Sequence, residues 1–70
     1  MKRKDVIELA SHYARQKGYE TEKYDVSVEY RENVWQVNFY NKEEKPGPGD
    51  FFTVGINDTS KTVEYLFRGK

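Results

Sequence analysis

Few residues of this 70-residue chain could carry out acid–base chemistry. The single histidine, His12, stands four residues from both Glu8 and Gln16, so on a helix these side chains would be neighbours. A general base needs an orienting partner and a pocket that holds the substrate. The surrounding pattern places His12 on the polar side of a helix, so we assign it no catalytic role.

Other hydroxyl and carboxylate groups give no stronger signal. The serines do not stand in a G-x-S-x-G elbow, so serine hydrolase chemistry is not expected. Asp25 and Glu29 would lie on the outer face of a strand, too far apart to share a proton. Glu43 and Glu44 fall in a polar loop, without the burial that perturbs a pKa.

The segment "NDTSK" offers oxygen ligands at Asn57 and Asp58. It lacks the ligand count and the glycine of a calcium loop, and it is typical of a turn, in which Asn and Asp side chains bond to nearby backbone. We therefore predict a non-enzymatic protein with no catalytic residue, no metal and no cofactor.

Composition narrows the possible partners. Twelve basic and twelve acidic residues cancel, so the chain lacks the positive field that drives binding to nucleic acid. The basic start "MKRK" precedes "DVIELASHYARQ", which is amphipathic where a signal peptide would be uniformly apolar. We predict a cytoplasmic protein with neither a nucleic-acid nor a membrane partner.

The chain has to form its core without cross-links, because it contains no cysteine. A chain of this length makes one domain, residues 1–70, and buries only about 60% of the surface that its unfolded form exposes. Six tyrosines, four phenylalanines and one tryptophan supply large apolar side chains. Aromatic residues are therefore expected to dominate the core.

Apolar residues first recur at spacings of three and four, which predicts an amphipathic helix over residues 5–17. Asp5 and Glu8 fit a capping box at its start. Gly18 suits the left-handed position that ends a helix. Tyr19 would then fold back towards Ala14.

Four later segments alternate apolar and polar residues, which predicts strands over residues 24–31, 34–41, 50–57 and 62–68. A two-residue turn at Glu32 and Asn33 keeps the apolar set of the first hairpin on one face. In the second hairpin, the pairs expected across the strands are Ile56 with Val63, Val54 with Tyr65, and Phe52 with Phe67. The polar "NKEEKPGPG" between the hairpins predicts a loop.

One apolar helix stripe and one apolar sheet face hide each other most simply in two layers. We therefore predict an α+β fold, with one N-terminal helix packed on a four-stranded antiparallel meander in the order αββββ. The predicted core residues are Val6, Leu9, Ala10, Tyr13, Val26, Val28, Trp35, Val37, Phe39, Val54, Ile56, Val63, Tyr65 and Phe67.

The sheet face away from the helix is expected to carry one exposed apolar patch. In the predicted register Tyr40 falls opposite Phe51, with Arg68 across from Phe51 and Leu66 diagonal to it. Clustered apolar side chains with an aromatic and an arginine are typical of interface centres. We predict that these four residues bind a protein partner or a second copy of the chain. The alternative is a patch shielded by the loop at residues 42–49.

The strand segments resemble the small NTF2-fold immunity protein domains. The matching stretches are "GYETEKYDVSVEYRENVWQVNFY", "GDFFTVGIND" and "TVEYLFRGK". They share the strand pattern, a Gly-Asp pair at a strand start and an Arg-Gly-Lys end. The resemblance implies a cystatin-like fold, in which a curved antiparallel sheet cradles a helix. It also implies a bacterial protein that neutralises a toxin partner without catalysis.

Two alternatives stay open. The segment "TVGINDTSKTVEYL" is similar to the second hairpin of PepSY domains, with Thr59, Ser60 and Lys61 in place of the usual Thr-Gly turn, which implies a regulatory or inhibitory module. A small NTF2-like enzyme or ligand-binding domain would need a concave apolar cavity of at least about 300 Å³ with convergent titratable groups. We expect none, because so short a chain has little core to spare.

Overall fold

The computed structural model describes residues 1–41 and 51–68. The helix α1 (Arg3–Gln16) and a 3₁₀ turn (Thr21–Lys23) precede four strands, which are β1 (Tyr24–Arg31), β2 (Val34–Asn41), β3 (Phe51–Asn57) and β4 (Thr62–Arg68). The strands form one antiparallel sheet in the order β1-β2-β3-β4, which confirms the predicted αββββ fold. The predicted loop at 42–49, the Glu43 and Glu44 pair and residue 50 lie outside the described residues.

α1 buries one ridge of side chains against the sheet. Val6, Ala10 and Ala14 follow at intervals of four residues and have no exposed area. The two alanines let the helix backbone approach the sheet closely. Phe39 and Phe52 stack beneath the helix with ring centroids 4.5 Å apart. The sheet residues buried in this core are Val37, Phe39, Phe52, Val54 and Ile56.

The helix begins at Arg3 rather than at the predicted residue 5. Its N-cap residue is Lys2, which makes no side-chain capping bond, and Asp5 lies within the first turn, so the predicted capping box is wrong. Met1 packs against the core and holds the start of the chain near the sheet. The helix can therefore begin two residues before the predicted position. The Asp5 carboxylate still favours the positive end of the helix dipole.

Gly18 closes the helix in the left-handed conformation, as predicted, with a φ of +99°. Its N–H donates to the carbonyl of Arg15 at 3.0 Å, and the N–H of Tyr19 donates to that of Ala14 at 3.1 Å. These two bonds define a Schellman motif. The chain turns back under the helix, where the Tyr19 ring stacks on Phe52 at 4.1 Å.

The first hairpin has the predicted register throughout. Glu32 and Asn33 form its two-residue turn with φ values of +50° and +68°, as a type I′ turn requires. Tyr30 pairs with Trp35, and the remaining pairs follow in step. Trp35 is half-buried on the helix side, where it packs against the core.

The second hairpin turns through residues 58–61. Asn57 makes the bonds expected of a turn residue, because its Oδ1 accepts the backbone N–H groups of Thr59 at 2.8 Å and Ser60 at 2.9 Å. Lys61 adopts the left-handed conformation with a φ of +60°. Its N–H donates to the carbonyl of Asn57 at 2.7 Å and closes the turn.

β3 and β4 keep the predicted register only next to this turn. Ile56 pairs with Val63 as predicted, and Gly55 then pairs with Tyr65, which leaves Glu64 without an opposite residue. Such an extra residue is a β-bulge. Because successive side chains of a strand point to opposite faces, the bulge exchanges the two faces of β4 beyond it.

The prediction that Tyr65 and Phe67 belong to the core is therefore wrong. Phe67 pairs with Thr53 on the face away from α1 and is 63% exposed. Leu66, opposite Val54, takes the helix side and packs against the core. The other predicted core residues are buried or packed against the buried cluster, namely Val6, Leu9, Ala10, Tyr13, Val26, Val28, Trp35, Val37, Phe39, Val54, Ile56 and Val63.

Asp58 connects the second hairpin to β2 and to the start of the chain. Its Oδ1 accepts a hydrogen bond from Trp35 Nε1 at 2.8 Å and one from the Met1 ammonium at 2.9 Å. The Trp35 bond, and then the Met1 bond, hold the pKa of the Asp58 carboxyl below its ordinary value. The ionised carboxylate therefore stabilises the folded chain.

This contact predicts an acid-dependent loss of stability. The folded pKa of Asp58 is lower than the unfolded value of about 3.9, so its contribution is complete above that pH and is lost as the pH falls through the folded pKa. We expect Asp58→Asn to lower the thermal unfolding midpoint at neutral pH. The difference from the parent chain should shrink below about pH 4. Circular dichroism melts across this pH range measure it.

Glu20→Gln provides the control. Glu20 also has a lowered pKa, caused by its hydrogen bond to Lys23 and by the Lys23 charge, but that pair is exposed and contributes little. We expect this variant to keep nearly the whole acid sensitivity of the parent chain. A constant difference between Asp58→Asn and the parent at every pH would contradict the role of the Asp58 charge.

Candidate protein-binding surface

The sheet face away from α1, which we call the outer face, carries exposed aromatic side chains. Tyr40 pairs with Phe51 as predicted, and their ring centroids lie 6.0 Å apart. Tyr40 is 46% exposed and Phe51 is 40% exposed. In the part of the chain that the structure describes, no helix lies over these rings.

Two of the four predicted binding residues do not reach this face. The bulge in β4 places Leu66 opposite Val54 and Arg68 opposite Phe52, both on the helix side. The predicted position of Arg68 across from Phe51, with Leu66 diagonal to it, is therefore wrong. The physical reason is the single unpaired residue in β4, which reverses the direction of every later side chain.

Tyr65 and Phe67 lie on the outer face instead, and Phe67, opposite Thr53, stands where the sequence had predicted Leu66. Their rings lie 4.9 Å apart along β4. Phe67 is opposite Thr53, one position along the outer face from Phe51, so it stands diagonal to the Phe51 ring. We call Tyr40, Phe51, Tyr65 and Phe67 the aromatic patch. It spans β2, β3 and β4.

The Tyr65 ring lies directly over Gly55 in the neighbouring strand. A Cβ added at Gly55 would overlap the ring atoms of Tyr65, so only glycine leaves room for this arrangement. The bare glycine backbone is thereby shielded from water by an aromatic ring of the adjacent strand. Because Gly55 has no side chain, the Tyr65 ring can lie close to the backbone of the neighbouring strand at this end of the aromatic patch.

Between the Tyr40–Phe51 pair and Tyr65, a row of polar side chains crosses three strands and leads to Phe67. Thr53 Oγ1 donates to Asn38 Oδ1 at 2.8 Å, and Asn38 Nδ2 donates to Ser27 Oγ at 3.4 Å. Asn38 and Thr53 are each only 8% exposed, although they lie on the outer face. Their neighbours must therefore surround them closely. The outer face combines exposed rings with a polar row whose hydrogen bonds are made within the sheet.

Other candidate positions have less structure around them. His12 is exposed on α1. A depression of about 540 Å³ is lined by Arg3, Lys4, Ile7 and Glu8. Its volume is larger than the minimum of about 300 Å³ that a ligand-binding cavity would need. Its lining comes from two successive turns of one helix, and its three charged residues are exposed to solvent. It is an open depression on the surface rather than an enclosed cavity.

Comparison with protein-family models, with curated proteins and with solved structures gave no match to this chain. Among residues 1–41 and 51–68, no helix is long and apolar enough to cross a membrane. In the same residues no cluster of histidine or carboxylate side chains has the arrangement of a metal site.

The packing of Tyr65 over Gly55 predicts a coupling between the two residues. In a Tyr65→Thr background, Gly55→Ala should stabilise the fold by about 0.5–1 kcal/mol, because alanine loses less backbone entropy on folding. In the parent chain the new methyl group has to displace the ring, and an off-rotamer ring costs about 0.5–1.5 kcal/mol. We therefore expect Gly55→Ala to be neutral or destabilising there. Urea unfolding of the four variants measures the cycle.

Phe67→Thr is the matched control background, since Phe67 stands opposite Thr53 rather than Gly55. Gly55→Ala should behave there as it does in the parent chain. Equal effects of Gly55→Ala in the Tyr65→Thr background and in the parent would contradict the proposed ring contact.

Proposed function

We propose that this chain is a non-enzymatic, cytoplasmic protein-binding module that recognises its partner through the aromatic patch. The observation that carries the proposal is the clustering of Tyr40, Phe51 and Phe67 on one sheet face, each at least 40% exposed. Apolar side chains exposed singly are ordinary, whereas several exposed aromatic rings grouped on one face are typical of a binding surface.

The chemistry of the outer face favours a protein as the partner. Aromatic rings bury a large area with few rotatable bonds, and tyrosine and phenylalanine are enriched in interface cores. The polar row at Asn38 and Thr53 already makes its hydrogen bonds within the sheet, so covering it leaves no strong polar group unsatisfied. A partner needs an apolar surface that fits between the rings.

The narrower proposal is that the partner is a bacterial toxin which this chain neutralises. It rests on the resemblance of the strand segments to NTF2-fold immunity proteins. Binding through the outer face would leave the core and α1 unchanged. An inhibitor of this kind needs only to cover the toxin, so it requires no catalytic group of its own.

The binding test removes two exposed rings. Phe51→Ser with Phe67→Ser should leave the fold intact, because both rings are exposed on the outer face. The double variant should bind the partner at least about 10-fold more weakly, as expected when anchor residues of an interface are lost. The partner to test is the product of an adjacent toxin-like reading frame. Isothermal titration calorimetry measures affinity, and growth of bacteria expressing that product measures neutralisation.

Val34→Ser is the matched control. Val34 lies on the same face of the same strand as Tyr40, but six residues away, or about 20 Å along the strand. This variant should retain full affinity and full protection. Equal affinity of all three proteins would rule out the aromatic patch as the binding surface. Binding without protection from the toxin would support the protein-binding module and contradict the immunity role.

A further inference from the structure

The first strand leaves one long edge of the sheet open. In the described residues β1 pairs with β2 on one side, and no strand pairs with its other side. Its eight residues, Tyr24–Arg31, pair with β2 without interruption. An open, regular edge presents a row of backbone donors and acceptors to another strand.

The turn fixes which backbone groups point outward from this edge. The residues that flank a two-residue turn, Arg31 and Val34, form a hydrogen-bonded pair. Odd-numbered residues of β1 therefore direct their N–H and C=O groups towards β2. The groups of Val26, Val28 and Tyr30 point away from the sheet, where a second strand could bind them.

We propose that β1 is a self-association edge, through which two copies of this chain pair antiparallel with Val28 opposite Val28. The second copy binds at the β1 edge, whereas the partner proposed above binds at the aromatic patch. Self-association through β1 therefore does not depend on the patch. The paired strands would join the two sheets into one, with both α1 helices on the same side.

The charges along β1 favour this register over the two adjacent ones. With Val28 at the centre, Arg31 of each copy stands opposite Asp25 of the other, which makes two attractive pairs on the outer face. Centring the pair on Ser27 would place Asp25 opposite Glu29, and centring it on Glu29 would place two like charges opposite each other. Neither Asp25 nor Arg31 has an ion-pair partner within the described part of its own chain.

The apolar side of β1 supports the same arrangement. Tyr30 is 52% exposed, and Val26 and Val28 are only half-buried at the margin of the core. In the Val28-centred register Tyr30 faces Val26 of the second copy. Aromatic and β-branched side chains opposite each other are a favourable cross-strand pair. The second copy would thus cover apolar surface that α1 leaves exposed.

The other edge of the sheet is less suited to pairing. β4 contains the bulge at Glu64, and bulges twist an edge and interrupt the row of backbone groups. β1 has no such irregularity in its pairing with β2. Self-association is therefore assigned to β1 rather than to β4.

Charge reversal across the strand pair tests the proposal. The parent chain should elute at twice its mass of 8.3 kDa in light-scattering chromatography. Asp25→Arg and Arg31→Asp each place two like-charged pairs in the interface, and each should weaken the dimer by about 10-fold or more. The double variant should dimerise again. Mixing the two single variants should also form a dimer, because every introduced charge then faces its opposite.

Glu64→Arg is the control, since it changes the net charge as Asp25→Arg does but lies on β4, and it should not alter dimerisation. Phe51→Ser with Phe67→Ser should also leave the dimer intact. Amide exchange by nuclear magnetic resonance locates the contact, with slow exchange at Val26, Val28 and Tyr30 in the dimer and fast exchange in Asp25→Arg. A monomeric parent at about millimolar concentration overturns the proposal. A dimer whose affinity is unchanged by charge reversal also overturns the proposal. The same holds for a dimer that dissociates when the Phe51 and Phe67 rings are removed.

Discussion

Side chains alternate between the two faces of a strand, and within residues 1–41 and 51–68 a helix covers only one face of this sheet. Each residue of β4 therefore either joins the core or faces away from it. The bulge at Glu64 determines which of the later side chains in the strand face the helix. Leu66 is added to the core, and Phe67 is placed on the outer face. The composition of both sheet faces depends on this one extra residue.

The elements with a strong local signal were predictable from the sequence. Alternation and a two-residue turn sufficed for β1 and β2, because a slip by one residue would have moved all their apolar side chains to solvent. Gly18 likewise predicted the helix end, since a left-handed residue there satisfies the last carbonyl groups. Tyr40 and Phe51, in the adjoining strands, were placed correctly for the same reason.

The bulge was not predicted, because it depends on a small difference between two possible pairings. The Asp58 contacts were not predicted, because they join residues that are distant in the chain. A slip in β4 exchanges Tyr65 with Leu66, and these two side chains are both apolar enough to occupy a core. Gly55 inside a strand was an available signal, since an isolated strand glycine often marks a bulge or a close approach. The contact between Asp58 and Trp35 spans 23 residues, beyond the reach of any local pattern.

The two surfaces proposed for binding use different physical groups and do not compete. The aromatic patch offers side chains perpendicular to the sheet, whereas the open edge of β1 offers backbone groups in its plane. Two copies joined through β1 would present both aromatic patches on the same side of the joined sheet. A partner that is itself dimeric would then bind at both sites, with a gain in affinity set by effective concentration rather than by new contacts.

The meander order of the strands has a consequence for how quickly this chain reaches its structure. Every strand pairs with the one that follows it, and the described hairpins turn through two and four residues. Short loops lose little entropy when they close, so each hairpin can form on a microsecond timescale of about 1–10 μs by itself. The Met1 ammonium and Asp58 are 57 residues apart, and their contact has to wait until the sheet exists. We therefore expect the two hairpins to form first, with the start of the chain docking on the sheet as a late event.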